Sequence, residues 1–231
     1  MSLDLLAVQD AGEALSPPER ALLLADHAPG TPRRVDEPVG RTNARLLRLY
    51  GELAGPLVEG TVGCPRCAVT VEFAAPVAEL LAAEKAIDVA PPPLADGGTT
   101  VSWRPVSYDD LVAAVRAPDA EQGVAEVLAR CIQGVEGEVT AALRPRVSAA
   151  MAHADPLAEI ELDLVCPECG AGVRALLDVL GFIWSQVVAQ SQALLVEVDT
   201  LARVYSWSEA EILALPRARR RRFVELATGG T

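Results

Sequence analysis

The alternation of apolar and polar positions changes period several times along the chain, and each change marks an expected element. Ser16-Pro17-Pro18-Glu19 joins an N-cap, prolines tolerated in a first helical turn and a glutamate three residues on. A helix is therefore expected from there to about Ala28, where Pro29-Gly30 ends it. Leu46, Leu49, Tyr50 and Leu53 recur at three- and four-residue steps, with Arg41, Arg45 and Arg48 on another face, which predicts a second helix from Arg41 to Leu53. Gly55-Pro56 stops it. The period then shortens to two: Leu57 to Gly63 and Val69 to Phe73 are short, β-branched and alternating, and read as strands flanking Cys64-Pro65-Arg66-Cys67.

The same layout returns late in the chain. Ile160, Leu162 and Leu164 alternate with Glu161 and Asp163 before Cys166-Pro167-Glu168-Cys169-Gly170, and Val173 to Val179 supplies the strand that follows. Between the two layouts, Ala90-Pro91-Pro92-Pro93 and Asp96-Gly97-Gly98 mark a loop, and Thr99 to Arg104 reads as a strand carrying Trp103. Three helices are expected next: one capped by Ser107 with Asp110, one from Asp119 to Cys131 and one from Pro145 to His153. Beyond the second cysteine turn, Trp184, Val188, Ser191, Leu195, Val198, Ala202 and Tyr205 recur at steps of four and three, the seam of a helix that packs on a partner in the same chain or in another. Ser208 with Glu211 opens a short helix ended by Pro216, and a last helix carries Arg217 and Arg219 to Arg222 before Phe223 and Leu226, with Gly229-Gly230 fraying.

These elements predict an α+β fold: a discontinuous four-cysteine zinc ribbon of two β-knuckles, with a mostly helical insertion and helical N- and C-terminal arms. Residues 1–56 form the N-terminal arm, 57–76 the first knuckle, 77–156 the insertion, 157–179 the second knuckle and 180–231 the C-terminal helical region. The insertion is carried as a side arm.

Composition narrows the partners. Twenty basic against 32 acidic residues leave a net charge of −12, which opposes non-specific binding to a polyanion. Three residues each of Trp, Tyr and Phe offer few stacking platforms for single strands. Asp4 and Asp10 stand where a secretory leader carries positive charge, and no apolar stretch reaches the length of a membrane span, so the chain reads as soluble and cytoplasmic. In that reducing compartment, paired cysteines serve more often as metal ligands or redox groups than as disulfides.

Each Cys-Pro-x-Cys turn places two sulfurs on one side of a tight bend, and two turns complete a tetrahedral shell around structural zinc, with Cys64, Cys67, Cys166 and Cys169 as ligands. Pro65 and Pro167 preset φ, and Gly170 suits a left-handed residue that aims an N–H at a thiolate, whereas Ala68 at the matching place strains the first turn slightly. The 98 residues between Cys67 and Cys166 exceed compact-finger spacing. Closing such a loop costs roughly 4 kcal/mol, against an apparent 10 to 16 kcal/mol on the order of what structural zinc contributes. Two competing readings are unrelated buried thiols, which the duplication opposes, and a redox pair, which would sit at a helix N-terminus where strands are expected here. Cys131 falls in a helical run and reads as a small core residue.

A four-cysteine shell leaves no open position for substrate, so the metal is expected to be structural. No Gly-x-Ser-x-Gly elbow, phosphate loop or His-Glu-x-x-His motif occurs, His27 and His153 are isolated, and Asp109 and Asp110 read as helix-start residues, so neither an enzyme nor a small-molecule substrate is expected. The arginine run suits an acidic protein surface better than phosphate.

Taken together, the capped N-terminal helix, Val39-Gly40-Arg41, both cysteine turns, Asp155-Pro156-Leu157-Ala158-Glu159-Ile160 and the stretch from Trp207 to Leu215 are similar to the baseplate hub proteins of T-even-type bacteriophages, a family whose relatives also accompany contractile injection systems. The resemblance spans most of the chain. It implies a structural or assembly role in a tail-like baseplate through contacts with other baseplate or hub proteins, without turnover, in the cytoplasm or within the finished particle. The alternative from another class is a zinc-ribbon regulator that binds nucleic acid through Arg217 to Arg222.

Overall fold

The computed structural model describes residues 4–96, 98–137 and 143–229. Gly97 and Gly230, assigned above to a loop and a frayed end, lie outside the described residues. The fold is mixed α+β, with ten α-helices and three small antiparallel sheets among the described residues.

Helix α1 (Leu5–Glu13) begins at Asp4, whose carboxylate accepts the Ala7 N–H, an element the sequence pattern did not reveal. Helix α2 (Pro17–Asp26) starts in the expected capping box of Ser16 and Glu19. Helix α3 (Val39–Ala54) buries Leu46, Leu47 and Leu49 and ends at Gly55. Strands β1 (Leu57–Gly63) and β2 (Thr70–Pro76) form an antiparallel hairpin with Val62 opposite Val71. A short helix α4 (Val77–Leu80) runs into a 3-10 turn, Leu81–Ala86.

The middle segment is mostly helical, as expected, and carries more strand than the sequence pattern showed. Strands β3 (Leu94–Asp96), β4 (Thr99–Trp103) and β5 (Ile132–Glu136) build a three-stranded sheet in sequence order, of which only β4 was legible. Helices α5 (Tyr108–Ala114), α6 (Ala120–Cys131) and α7 (Leu143–Ala154) accompany it. A core of Val101, Trp103, Leu128, Cys131, Val147 and Met151 closes between sheet and helices.

That segment is not a side arm. Val106 accepts the Val39 N–H at 2.8 Å, the Tyr108 hydroxyl donates to Asn43 Oδ1 at 2.8 Å, and Asn43 donates to the Leu157 carbonyl at 2.8 Å. The N-terminus of α3 is the hub of these links. Pro38 occupies its N-cap position and offers no capping side chain, so the buried Asp155 carboxylate, far along the chain, accepts the Gly40 N–H at 2.8 Å instead. Glycine is required at position 40 because a Cβ there would lie 1.8 Å from Asp155 Oδ1. Burial raises the Asp155 pKa, while N–H groups of Gly40, Leu157 and Ala158 oppose that rise.

Strands β6 (Glu161–Val165) and β7 (Gly172–Leu176) form the second hairpin, with Leu164 opposite Val173. The strand expected to continue to Val179 stops earlier, because Asp178 accepts the Gly181 N–H and opens helix α8 (Val179–Tyr205). This helix packs on α1 and α3, and its buried residues are Val179, Ile183, Val187, Ser191 and Leu201, of which only Ser191 belongs to the predicted seam, whose Leu195 is 49% exposed. The four-residue steps from Val179 to Ser191 suit packing inside a globular core, and α1 and α3 are among the neighbours. By length and composition α8 is long and apolar enough to cross a membrane, contrary to the expectation that no stretch reaches that size.

Helices α9 (Glu209–Leu213) and α10 (Arg217–Ala227) fold back on the end of α8. Tyr205 stacks on Trp207 with ring centroids 4.8 Å apart, and Phe223 meets both edge-on. Arg220 pairs with Glu197 at 2.6 Å, which removes it from the outward arginine row; Arg217, Arg219, Arg221 and Arg222 stay exposed.

Candidate metal centre

Each cysteine turn closes its hairpin in the same way. In the first, the Cys64 N–H donates to the Val69 carbonyl at 2.8 Å and the Ala68 N–H to the Cys64 carbonyl at 2.9 Å. In the second, the Cys166 N–H donates to Ala171 at 2.9 Å and the Gly170 N–H to Cys166 at 3.0 Å. Closing the loop in this way requires a left-handed residue at the fifth place of the turn: Gly170 has φ +66°, which costs it nothing, and Ala68 has φ +60°, which costs an L-residue about 1–2 kcal/mol.

The hairpins then meet in one small cluster: Val71 and Val173 are buried in it with Cys64 and Cys166, and the partly buried Val62 and Leu164 pack against them. This packing brings all four sulfurs within 4.8 Å of one another. Cys64 Sγ lies 3.7 Å from Cys169 Sγ and Cys67 Sγ lies 3.6 Å from Cys166 Sγ, so the close pairs run between hairpins. Both separations are far longer than a disulfide, and the four thiols are free. They match the edge of about 3.8 Å that follows from a tetrahedron with metal–sulfur bonds of about 2.3 Å. Cys64 and Cys166 are buried, Cys169 is half-buried and Cys67 is exposed, so the centre sits at the surface with one sulfur toward solvent.

The electrostatics point the same way. The N–H groups of Cys67 and Arg66 aim at the Cys64 sulfur and bring its pKa down to about 6. The Val69 N–H favours a Cys67 thiolate in the same manner, yet desolvation and the sulfurs of Cys169, Cys166 and Cys64 outweigh it and push Cys67 up to about 12. Cys169 is likewise raised: the Ala171 N–H favours its thiolate, but desolvation and the thiols of Cys64 and Cys166 prevail. One negative charge is easily held here and further ones resist. The four cysteines named from the sequence therefore lie together and fit a thiophilic metal ion.

Cys131 is elsewhere. It is buried in the core of the middle segment, its thiol pushed up to about 12 by burial and then by the charge of Asp110, to which it donates at 3.5 Å. Asp110 departs from its expected role as a helix-start residue alone. It forms the capping box with Ser107, but it is also fully buried and accepts from Arg104 at 2.6 and 2.9 Å and from Arg130 at 2.9 Å. Burial opposes its ionisation, and Arg104, Ser107 and Arg130 together overcome that and hold its pKa well below the ordinary carboxylate value. Asp109 pairs with Arg33 at 2.9 Å. Sequence reasoning saw the capping box but not the two arginines, whose approach depends on β4 and α6 meeting.

Two segments quoted for the family resemblance, Val39-Gly40-Arg41 and Asp155 to Ile160, meet directly through the Gly40–Asp155 hydrogen bond. No family model matches the chain, and neither does any curated protein or solved structure.

Proposed function

We propose that this chain is a zinc-clamped structural or assembly protein of a contractile, phage-tail-like baseplate, acting through protein–protein contacts and without turnover. The observation that carries the metal-clamp half of the reading is the convergence of four sulfurs from two distant hairpins. A zinc ion bound there has all four positions filled by cysteine, so it supplies cross-linking and not Lewis-acid chemistry. In this reading the two hairpins are the halves of one discontinuous zinc ribbon. The baseplate assignment is supported by the resemblance described above.

Two experiments test it. Elemental analysis of protein purified without chelator is expected to give one zinc per chain; protein free of zinc removes the clamp. Co-purification with sheath, tube or hub components from a producing cell tests the assembly role, and unchanged numbers of normal contractile particles after deletion of the gene would sink it. The nucleic-acid alternative has one observation in its favour, the four outward arginines of α10. Anisotropy titration with duplex DNA at low salt, where attraction is strongest, decides it, and no binding is expected from a chain of net charge −12.

A further inference from the structure

A long furrow runs where the core of the middle segment meets the main core, between α2, α5, α6 and α7, with a volume of about 1,110 Å³. That exceeds the usual range for small-ligand pockets, roughly 300–1,000 Å³. One wall is α6, which turns Ala120, Gly123, Val124 and Val127 into the furrow, the stripe that an amphipathic helix ordinarily buries. Here it is left half open: Val124 is 57% exposed, and Val115 at the end of α5 is 52% exposed. The floor reaches Leu128 and Met151 and is mainly apolar, interrupted by Ser148 and the buried Asp155.

The charged residues that line the furrow, Asp119 at the start of α6, Glu159 and Glu161 near the start of β6 and the buried Asp155, are all acidic; beside them Arg174 pairs with Glu161, and Arg116, next to Val115, pairs with Glu19. We propose that the furrow receives one amphipathic helix of a partner protein, apolar along the inserted side and flanked by lysine or arginine. Helical walls present ridges into which another helix packs, an apolar floor takes its i, i+3, i+4, i+7 side chains, and the acidic rim pairs with its flanks. The chain's own basic helix does not meet this description. Phe223 of α10 is engaged with Tyr205 and Trp207, and the outward side of α10 carries arginines with Leu226 as the one large apolar residue. That leaves a helix of another protein as the proposed occupant.

The test uses the full-length protein and a fluorescein-labelled leucine–lysine helical peptide of about fifteen residues, with a leucine–glutamate peptide of equal length as control. Anisotropy is expected to show the basic peptide binding at least about tenfold more tightly than the acidic one. Val124→Lys and Val115→Lys, both at exposed positions, are expected to weaken it about tenfold each, while Val204→Lys on α8 leaves it unchanged. Glu159→Lys, at an exposed rim position, is expected to weaken binding several-fold at low salt, and it decides the matter if a valine variant loses its near-ultraviolet circular dichroism. Absence of binding to the basic peptide, equal binding of both peptides, or sensitivity to Val204→Lys in place of the furrow variants overturns the proposal.

Discussion

Two polar centres tie elements of this molecule together, Asp110 deep in the middle segment and the cysteines at the surface, and they solve the same electrostatic problem in opposite ways. At Asp110, one carboxylate meets two guanidinium groups, a hydroxyl and a backbone N–H, so its charge is neutralised by groups the chain itself supplies. At the cysteine centre, four sulfurs meet one another and backbone N–H groups. The first is complete within the chain; the second gathers four donors that fit a thiophilic metal ion. The difference teaches that a cluster of identical titratable side chains is better evidence for a ligand than a buried charge that is already paired.

The largest effect expected from breaking this contrast is at the sulfurs. Cys166→Ser is expected to abolish stoichiometric zinc and lower stability by several kcal/mol, out of the order of 10 kcal/mol that structural zinc contributes, with a fall in Tm of roughly 10 °C or more. Metal analysis alongside calorimetry checks both, and prolonged chelation of the unaltered protein should reproduce the loss. Asp110→Asn is expected to cost about 3–5 kcal/mol, because it leaves two arginines beside a group that no longer balances them. Denaturant unfolding measures that cost, and zinc content should not move. A variant that lost zinc as well would show that the two centres are linked.

Acid separates the centres further. The folded-state pKa of Asp110 is depressed, so its stabilisation is fully present above the unfolded value of about 3.9 and is lost as pH falls below it toward the folded value. The stability gap between the unaltered protein and Asp110→Asn should therefore shrink below about pH 4, by up to a few kcal/mol, and Cys166→Ser should retain that slope. The smallest effect compares the two turns. Ala68→Gly relieves a left-handed alanine and should add about 1 kcal/mol, while Gly170→Ala should remove about as much, both read from unfolding midpoints.

How much of this was visible beforehand depended on whether the signal was local. The hairpins, the capping boxes at Ser16, Ser107 and Ser208 and the four ligand positions rest on periodicity and turn chemistry within a few residues. The short strands β3 and β5 carry too few residues to show a period and are defined by pairing with β4. The buried stripe of α8 differs from the predicted seam because three- and four-residue steps leave several faces of an apolar helix equivalent until neighbours choose one; α1 and α3 made that choice. Asp155 carries no signal of its own in the sequence beyond its place before Pro156. Its capping of α3 joins positions more than a hundred residues apart, and no local pattern announces it.

The distance along the chain between the two cysteine turns also sets an order of events during synthesis. A nascent polypeptide that has emerged only as far as Cys67 carries half a ligand set, and an ion held by two sulfurs is readily surrendered to competing thiols. Lasting capture must await Cys169, by which time the whole middle segment is already outside the ribosome. A product cut short before its second hairpin would therefore present only two of the four sulfurs that converge in the complete chain.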